Sequence, residues 1–296
     1  MPIAAASVAL VLSMAQGAPA GAAHDKNYWR RVVEAKYEVP AGDRVTSLAA
    51  ELVAHLGDVD PVMRDDFAFT ILTAWIYEKK LIGPDELRPM IKTLEGNLTR
   101  GIGTAGTDAV FLRSFSALTL SVVAARDNAA PFLADDEFQR LLDASLDYFR
   151  NERDVRGFDD AKGWIHTAAH TADLLKFLAR SRFLEPAGQA RVLDAITRKL
   201  SGTPSVFTHG EDERFARAVL SIVNRSDFDR TAFKSWTTQA KPPRLPQKFT
   251  PAQLSGAQNS KNLLAKLQVL LTADAQPSEA VQFARESVRA ALEGAF

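Results

Sequence analysis

The chain has no cysteine, no excess charge of either sign and, after its first residues, no long apolar run. The lack of cysteine excludes disulfides, thiol catalysis and cysteine-bound metals. Its 36 basic residues balance its 36 acidic residues, so no overall field attracts nucleic acid or an anionic membrane. No later stretch approaches the ~20 consecutive apolar residues of a membrane helix. We therefore expect neither a nucleic-acid partner nor a membrane span once a leader has been removed.

Several catalytic signatures are also missing. The sequence has no GxSxG nucleophile elbow, no Walker loop and no dinucleotide-binding fingerprint. The glycine-rich segment 101–106, GIGTAG, separates two predicted helices instead of following a strand, so we interpret it as a turn. The sequence motifs therefore do not indicate which reaction, if any, the protein catalyses.

The N-terminal segment has the pattern of a secretory leader. It is apolar from Ile3 to Met14, is then rich in small residues, and has its first charge at Asp25. This predicts a signal peptide over residues 1–23 and a periplasmic or secreted protein. Because no Lys or Arg precedes the apolar part, the alternative is an alanine-rich tail on a cytoplasmic protein.

Beyond the leader, apolar residues recur at helical intervals, and no segment has the period of two that is typical of strands. We predict an all-α fold of about a dozen helices. An α-solenoid of stacked, HEAT-like helical hairpins is favoured, and a compact multi-helix bundle is the alternative. The predicted parts are a helical-repeat domain over 24–240, a proline-rich linker over 241–251 and a helical pair over 252–296, packed on the same domain.

The segment 163–175, GWIHTAAHTADLL, concentrates polar residues in the middle of a predicted helix over 162–182. His166 and His170 are one turn apart on one helical face, where two imidazoles could bind a divalent metal such as zinc. Asp173 is too far along the axis to share that ion, and we expect it to accept a ring N–H of His170.

A third metal ligand would have to come from elsewhere in the chain. The stretch 208–214 offers His209, Glu211 and Asp212. Since the glutamate of an HExxH motif is absent, a buried polar cluster is the competing interpretation.

Three arginines indicate a second kind of site. Arg113, Arg156 and Arg214 could together clamp a phosphate or carboxylate. Nearby acidic residues, including Glu152 and Glu211, could instead simply neutralise them.

At these residues the chain resembles a family of uncharacterised bacterial proteins known as a domain of unknown function, expected to be all-helical and HEAT-like. The matching motifs are DPVMRDD (60–66), DAVFLRSFSAL (108–118), ERDVRGF (152–158), GWIHTAAHTADLL (163–175) and GEDERFA (210–216). The resemblance implies that the family's recurring polar positions lie together on one surface. They correspond to Asp65, Arg113, Glu152, Arg156, His166, His170, Asp173, Glu211 and Arg214.

Three functions remain open on these grounds. The first is an exported binding module that holds a small polar or anionic ligand, or a peptide, on a concave Arg/His/acidic surface. The second is a metal-assisted hydrolase with His166 and His170 as ligands and a nearby carboxylate as base. The third is a structural scaffold with a buried polar network.

Overall fold

The helices begin where the sequence places a capping side chain or a proline. In the computed structural model, which describes residues 23–244 and 247–293, side-chain oxygens of several residues accept a first-turn N–H. These caps are Asp25, Asp229, Thr250 and Ser278. Proline, which lacks the N–H that a first turn leaves unpaired, starts three helices at Pro84, Pro186 and Pro251.

The described residues form twelve helices and one short hairpin, which confirms the all-α prediction. The third helix is continuous but has wider turns in its first and last parts, Val62–Phe69 and Ala74–Glu78, on either side of Thr70–Thr73. The helices are α1 Lys26–Glu34, α2 Val45–His55, α3 (these three segments), α4 Pro84–Leu98, α5 Ala109–Ala129, α6 Asp135–Asn151, α7 Thr167–Leu178, α8 Pro186–Gly202, α9 Glu211–Val223, α10 Arg230–Ala240, α11 Pro251–Thr272 and α12 Glu279–Leu292. The hairpin pairs β1 Phe158–Asp159 with β2 Gly163–Trp164.

Two predicted segments differ from this description or fall outside it. The predicted leader, 1–23, lies outside the described residues apart from Ala23. The described residues of 241–250 form no helix or strand, but Pro251 already belongs to α11 because Thr250 caps that helix. The helix therefore begins at the last residue of the predicted linker, one residue before the predicted helical pair.

Alternate helices pack beside one another in two rows. In one row α5, α7, α9 and α11 follow in that order, and in the other α4, α6, α8, α10 and α12 do. Helices of the two rows also touch, as in the pairs α4 with α5 and α11 with α12. One apolar cluster runs through the whole arrangement, from Trp29 in α1 to Ala291 in α12.

Helix α5 lies at the centre of this core and is the longest apolar element of the first half. It meets the length and hydropathy of a membrane-spanning helix, contrary to the expectation that no such stretch follows the leader. Its most apolar window is, however, 72% buried inside the protein, against α4 and α7 among others. Burial on nearly all sides explains the composition, because a helix that is surrounded by protein needs no polar face.

Candidate functional site

The hairpin, and not a helix, carries the first half of the histidine segment. Gly163 has φ +74 and forms the turn into β2, and His166 itself has φ +49, in the left-handed region. The N–H groups of Ile165 and His166 both donate to the carbonyl of Gly157, at 2.9 and 3.1 Å. The prediction of a helix starting at residue 162 is therefore wrong, because these tertiary bonds hold the chain out of helical geometry until Thr167.

Arg64 of α3, which was not predicted as a site residue, holds the hairpin in place through hydrogen bonds to its backbone. Its fully buried guanidinium lies 3.9 Å from the ring centroid of Phe111 and donates to the carbonyl of Lys162. It also donates to the carbonyl of Asp58 at 2.7 Å, and burial lowers its pKa. Its Nη1 and Nη2 bind only carbonyls, and its Nε is buried without a partner among the described residues. An arginine held by carbonyls and aromatic faces leaves no charge pattern in the sequence by which it could be found.

An open cleft of about 680 Å³ lies beside the hairpin, between α3, α5, α7 and the start of α9. It brings together more than half of the predicted polar positions, and apolar and aromatic side chains complete its walls. The predicted residues that line it are Asp65, His166, His170, Asp173 and Arg214. The others are Phe69, Leu118, Ser121, Trp164, Lys176, Phe177 and His209.

His170 is the most constrained of these side chains. It is only 4% exposed, and its Nδ1 lies 2.8 Å from the hydroxyl oxygen of Ser114. The Ser114 hydroxyl donates its proton to the carbonyl of Ile165, so Nδ1–H of His170 must be the donor to Ser114. The lone pair is then on Nε2, for which no partner exists within the described chain. Burial, and then His166, hold the pKa of His170 well below its usual value, so the ring is neutral.

His166 is neutral too, with its tautomer fixed by a backbone group. Its Nε2 lies 3.1 Å from the carbonyl oxygen of His209, which can only accept, so Nε2 carries the proton. The ring stacks on Trp164 at a centroid distance of 4.2 Å. Burial, and then the Arg214 guanidinium, lower the pKa of His166 to about 4. Two uncharged imidazoles therefore line the cleft at neutral pH.

The histidines approach one another without forming a complete metal centre. The ring centroids of His166 and His170 are 5.6 Å apart, and the ring centroids of His166 and His209 are 6.2 Å apart. Over residues 23–244 and 247–293, no three His, Asp or Glu side chains are grouped so as to hold a metal ion. The predicted pair is adjacent, but His166 precedes the helix instead of sharing a helical face with His170.

Asp173 and Asp65 are the two carboxylates of the cleft, and they differ in their surroundings. Asp173 accepts from Lys176 at 2.9 Å and from Arg214, so the prediction that it orients His170 is wrong; Ser114 does so. Asp65 lies in the wide-turned part of α3, and no hydrogen bond from the described chain reaches its carboxylate. Burial raises the pKa of Asp65, an effect that the Arg64 charge partly offsets.

Arg113, Glu152 and Arg156 do not join this cleft. Arg113 is fully buried and binds Glu152 through two hydrogen bonds, of 2.6 and 3.1 Å. Arg156 binds Asp154 through Nε and Nη2 and donates to the carbonyl of Thr107. The predicted clamp of three arginines is therefore not formed, because each arginine, Arg214 included, meets a different carboxylate.

Glu211 has a positioning role beside the cleft. Its side chain is 2% exposed and accepts the backbone N–H of His209 at 2.7 Å, at the start of α9. Gly157 supports the same histidine, since a Cβ added there would lie 2.4 Å from Nδ1 of His209. Together they hold the His209 carbonyl where His166 donates to it.

A comparison with protein families matches the part of the chain that forms most of the cleft. A family model described as "Protein of unknown function (DUF2785)" matches residues 98–271. The chain belongs to the DUF2785 family. The matched range includes α5, α7 and α9 and hence every cleft residue except Asp65 and Phe69. No curated protein and no solved structure matches the chain.

Proposed function

We propose that this DUF2785 protein binds a small polar molecule in the cleft, one that carries a hydrogen-bond donor and an anionic group. The observation that carries the proposal is His170. Its ring is almost fully buried and neutral, and because Nδ1 donates to Ser114, the unprotonated Nε2 has no hydrogen-bond partner among the described residues. His170 lines the cleft, so this acceptor can take the N–H or O–H of a ligand in place of solvent.

The remaining cleft residues supply complementary groups. Arg214 uses one guanidinium nitrogen on Asp173, so its other N–H groups are free to bind a carboxylate or phosphate together with Lys176. Asp65 provides a second acceptor, and Trp164 and Phe177 provide apolar walls. The volume of about 680 Å³ lies within the range of ~300–1,000 Å³ that is typical of small-molecule sites. It therefore favours a small ligand over a peptide.

The arrangement of the helices supports the solenoid over the bundle. Two rows in which each helix packs on the next of its own row are what stacked helical hairpins produce. In this interpretation the cleft opens on the row of α5, α7 and α9. The alternative, a compact bundle, would be favoured if a truncation after α10 lost all helical signal at once in urea instead of unfolding in steps.

The apolar segment at residues 3–14 supports export to the periplasm or the medium. Fractionation of cells that produce the full chain, and the chain without residues 1–23, tests this. We expect only the full chain outside the cytoplasm and shortened by about 20 residues. Full-length protein that stays in the cytoplasm would support the alternative of an alanine-rich tail.

A metal-assisted hydrolase is the second candidate, because three of the chain's five histidines meet at this cleft. The lone pairs left for a metal are Nδ1 of His166 and Nε2 of His170. Zinc sites normally use three or four protein ligands, and Asp173 is occupied by Arg214 and Lys176. Metal analysis of protein purified without chelator, beside His166→Ala and His170→Ala, tests this candidate. Metal at less than a tenth of the protein concentration would contradict the hydrolase function.

Calorimetric titration with lactate, malate, an amino acid and glucose 6-phosphate tests the binding function. We expect at least one to bind saturably, and His170→Phe and Arg214→Gln to weaken it by about tenfold or more. Arg217→Gln is the matched control, since Arg217 lies on the same helix but is paired with Glu213 outside the cleft. Equal affinity in all three variants would overturn the proposal, as would no binding of any probe.

A further inference from the structure

A second cavity, of about 440 Å³, lies between α6 and α8 and is separate from the cleft. Five basic side chains line it, against two acidic ones, in a protein whose net charge is zero. The basic residues are Arg150, Arg153, Arg191, Arg198 and Lys199, and the acidic ones are Glu152 and Asp194. Sequence reasoning singled out Glu152 alone of these.

Most of these arginines already have a carboxylate partner. Arg150 pairs with Asp147, Arg191 with Asp143 and Arg198 with Asp194. The carboxylate of Glu152 points to the core, where Arg113 binds it through two hydrogen bonds. After this pairing, two cations of the cavity lack a carboxylate partner among the described residues. They are Arg153 and Lys199.

Lys199 is the half-buried member of this pair, and Arg153 is exposed. Its ammonium group donates to the backbone carbonyl of Glu152 at 2.8 Å and lies 5.1 Å from the ring centroid of Phe149. Glu152 is the C-cap of α6, and its carbonyl takes one of the three ammonium protons, so no carboxylate forms a hydrogen bond with Lys199 within the described chain. Burial lowers the pKa of Lys199 to about 8, Arg153 adds to this effect, and the Glu152 charge opposes it. A desolvated cation beside a second cation is stabilised most by an anion placed between them.

We propose that the cavity between α6 and α8 binds an anion of the phosphate class, with Lys199 as its half-buried contact and Arg153 as its exposed one. A phosphate group has several acceptor oxygens for the two free ammonium protons and the Arg153 guanidinium. The other three arginines are neutralised by their own carboxylates, so the excess positive charge of the cavity comes from Lys199 and Arg153. The site uses no residue of the His170 cleft, so it can hold or fail independently of the function proposed for that cleft.

The test is equilibrium binding of inorganic phosphate and pyrophosphate at pH 7, with vesicles containing anionic phospholipid as a second arm. We expect saturable binding of pyrophosphate, weakened about tenfold or more by Lys199→Met and by Arg153→Gln. The control is Arg140→Gln, an exposed arginine on α6 that is paired with Asp136 outside the cavity. Binding of vesicles but not of free pyrophosphate would identify a lipid headgroup as the source of the phosphate group.

A second readout is independent of the affinity measurement. Acetylation rates of the lysines are measured at pH 8 with and without pyrophosphate. We expect pyrophosphate to slow the acetylation of Lys199 most, while the exposed Lys241 and Lys248 keep their rates. If Lys199→Met does not fold, Arg153→Gln and the acetylation rates still decide the question. The proposal is overturned if no probe binds saturably, or if both cavity variants bind like Arg140→Gln. Unchanged acetylation of Lys199 in saturating pyrophosphate would also overturn it.

Discussion

Replacing Glu152 with Gln should be among the most costly single substitutions in the chain. The change leaves the shape of the side chain almost intact but removes the negative charge that Arg113, with no exposed surface, binds at 2.6 Å. Arg113 keeps its bonds to the carbonyls of Arg100 and Gly101, which satisfy hydrogen-bonding capacity but not charge. Breaking a buried pair in this way costs about 3–5 kcal/mol. We expect that loss in urea unfolding followed by circular dichroism at pH 7.

The double variant distinguishes a buried ion pair from two independent effects. Arg113→Met alone should also cost about 3–5 kcal/mol, because it leaves Glu152 buried without its partner. The variant with both changes should cost much less than the sum, since no uncompensated charge remains. The exposed pair Arg140 and Asp136 serves as the control and should give no measurable coupling. Costs that add to within about 0.5 kcal/mol for the buried pair would refute the reasoning.

Three further predictions concern the cleft. Ser114→Ala should destabilise the protein by about 1–3 kcal/mol and release the His170 tautomer, visible in imidazole nitrogen shifts by NMR; unchanged shifts would contradict the assignment. The pKa of His166 is about 4 in the folded protein and 6.5 in the unfolded chain, so the unfolded state binds the proton first as the pH falls. The free energy of unfolding should therefore be highest above pH 6.5 and fall by about 2 kcal/mol, after allowing for screening, as the pH decreases towards 4. In the variant His166→Asn the free energy of unfolding should depend less on pH over this range. Gly157→Ala should displace His209, because the new Cβ would lie 2.4 Å from its Nδ1, and an overpacking cost of about 1–3 kcal/mol is expected; unfolding identical to that of the unmodified chain would argue against the contact.

Local sequence signals were sufficient for the helices and failed at the hairpin. Caps such as Asp229 and prolines such as Pro186 act on residues one turn away, so they can be recognised without the fold. The start of α7 depends instead on the carbonyl of Gly157, which holds Ile165 and His166 outside the helix. The residues that follow Gly163 contain no local signal that predicts these hydrogen bonds to Gly157.

The candidate cleft was also only partly predictable. The spacing of His170, Asp173 and Lys176 is visible in the sequence, and so is that of Ser114, Leu118 and Ser121 on the facing side of α5. The two serines of the second set were not recognised, because small polar residues on a helix that is otherwise apolar are usually core residues. A search for such residues at intervals of three and four would have found it.

The sequence by itself determined that this chain is helical, because helix periodicity, caps and proline positions are properties of neighbours along the chain. It also determined which polar residues were candidates for a site. Only the tertiary structure decided which of them meet. It pairs Arg113 with Glu152 in the core and Arg214 with Asp173 at the cleft, although the partners are 39 and 41 positions apart in the sequence. The physical reason is that burial and partner choice arise from helix packing. Arg113 therefore lies in the core and Arg214 at the cleft.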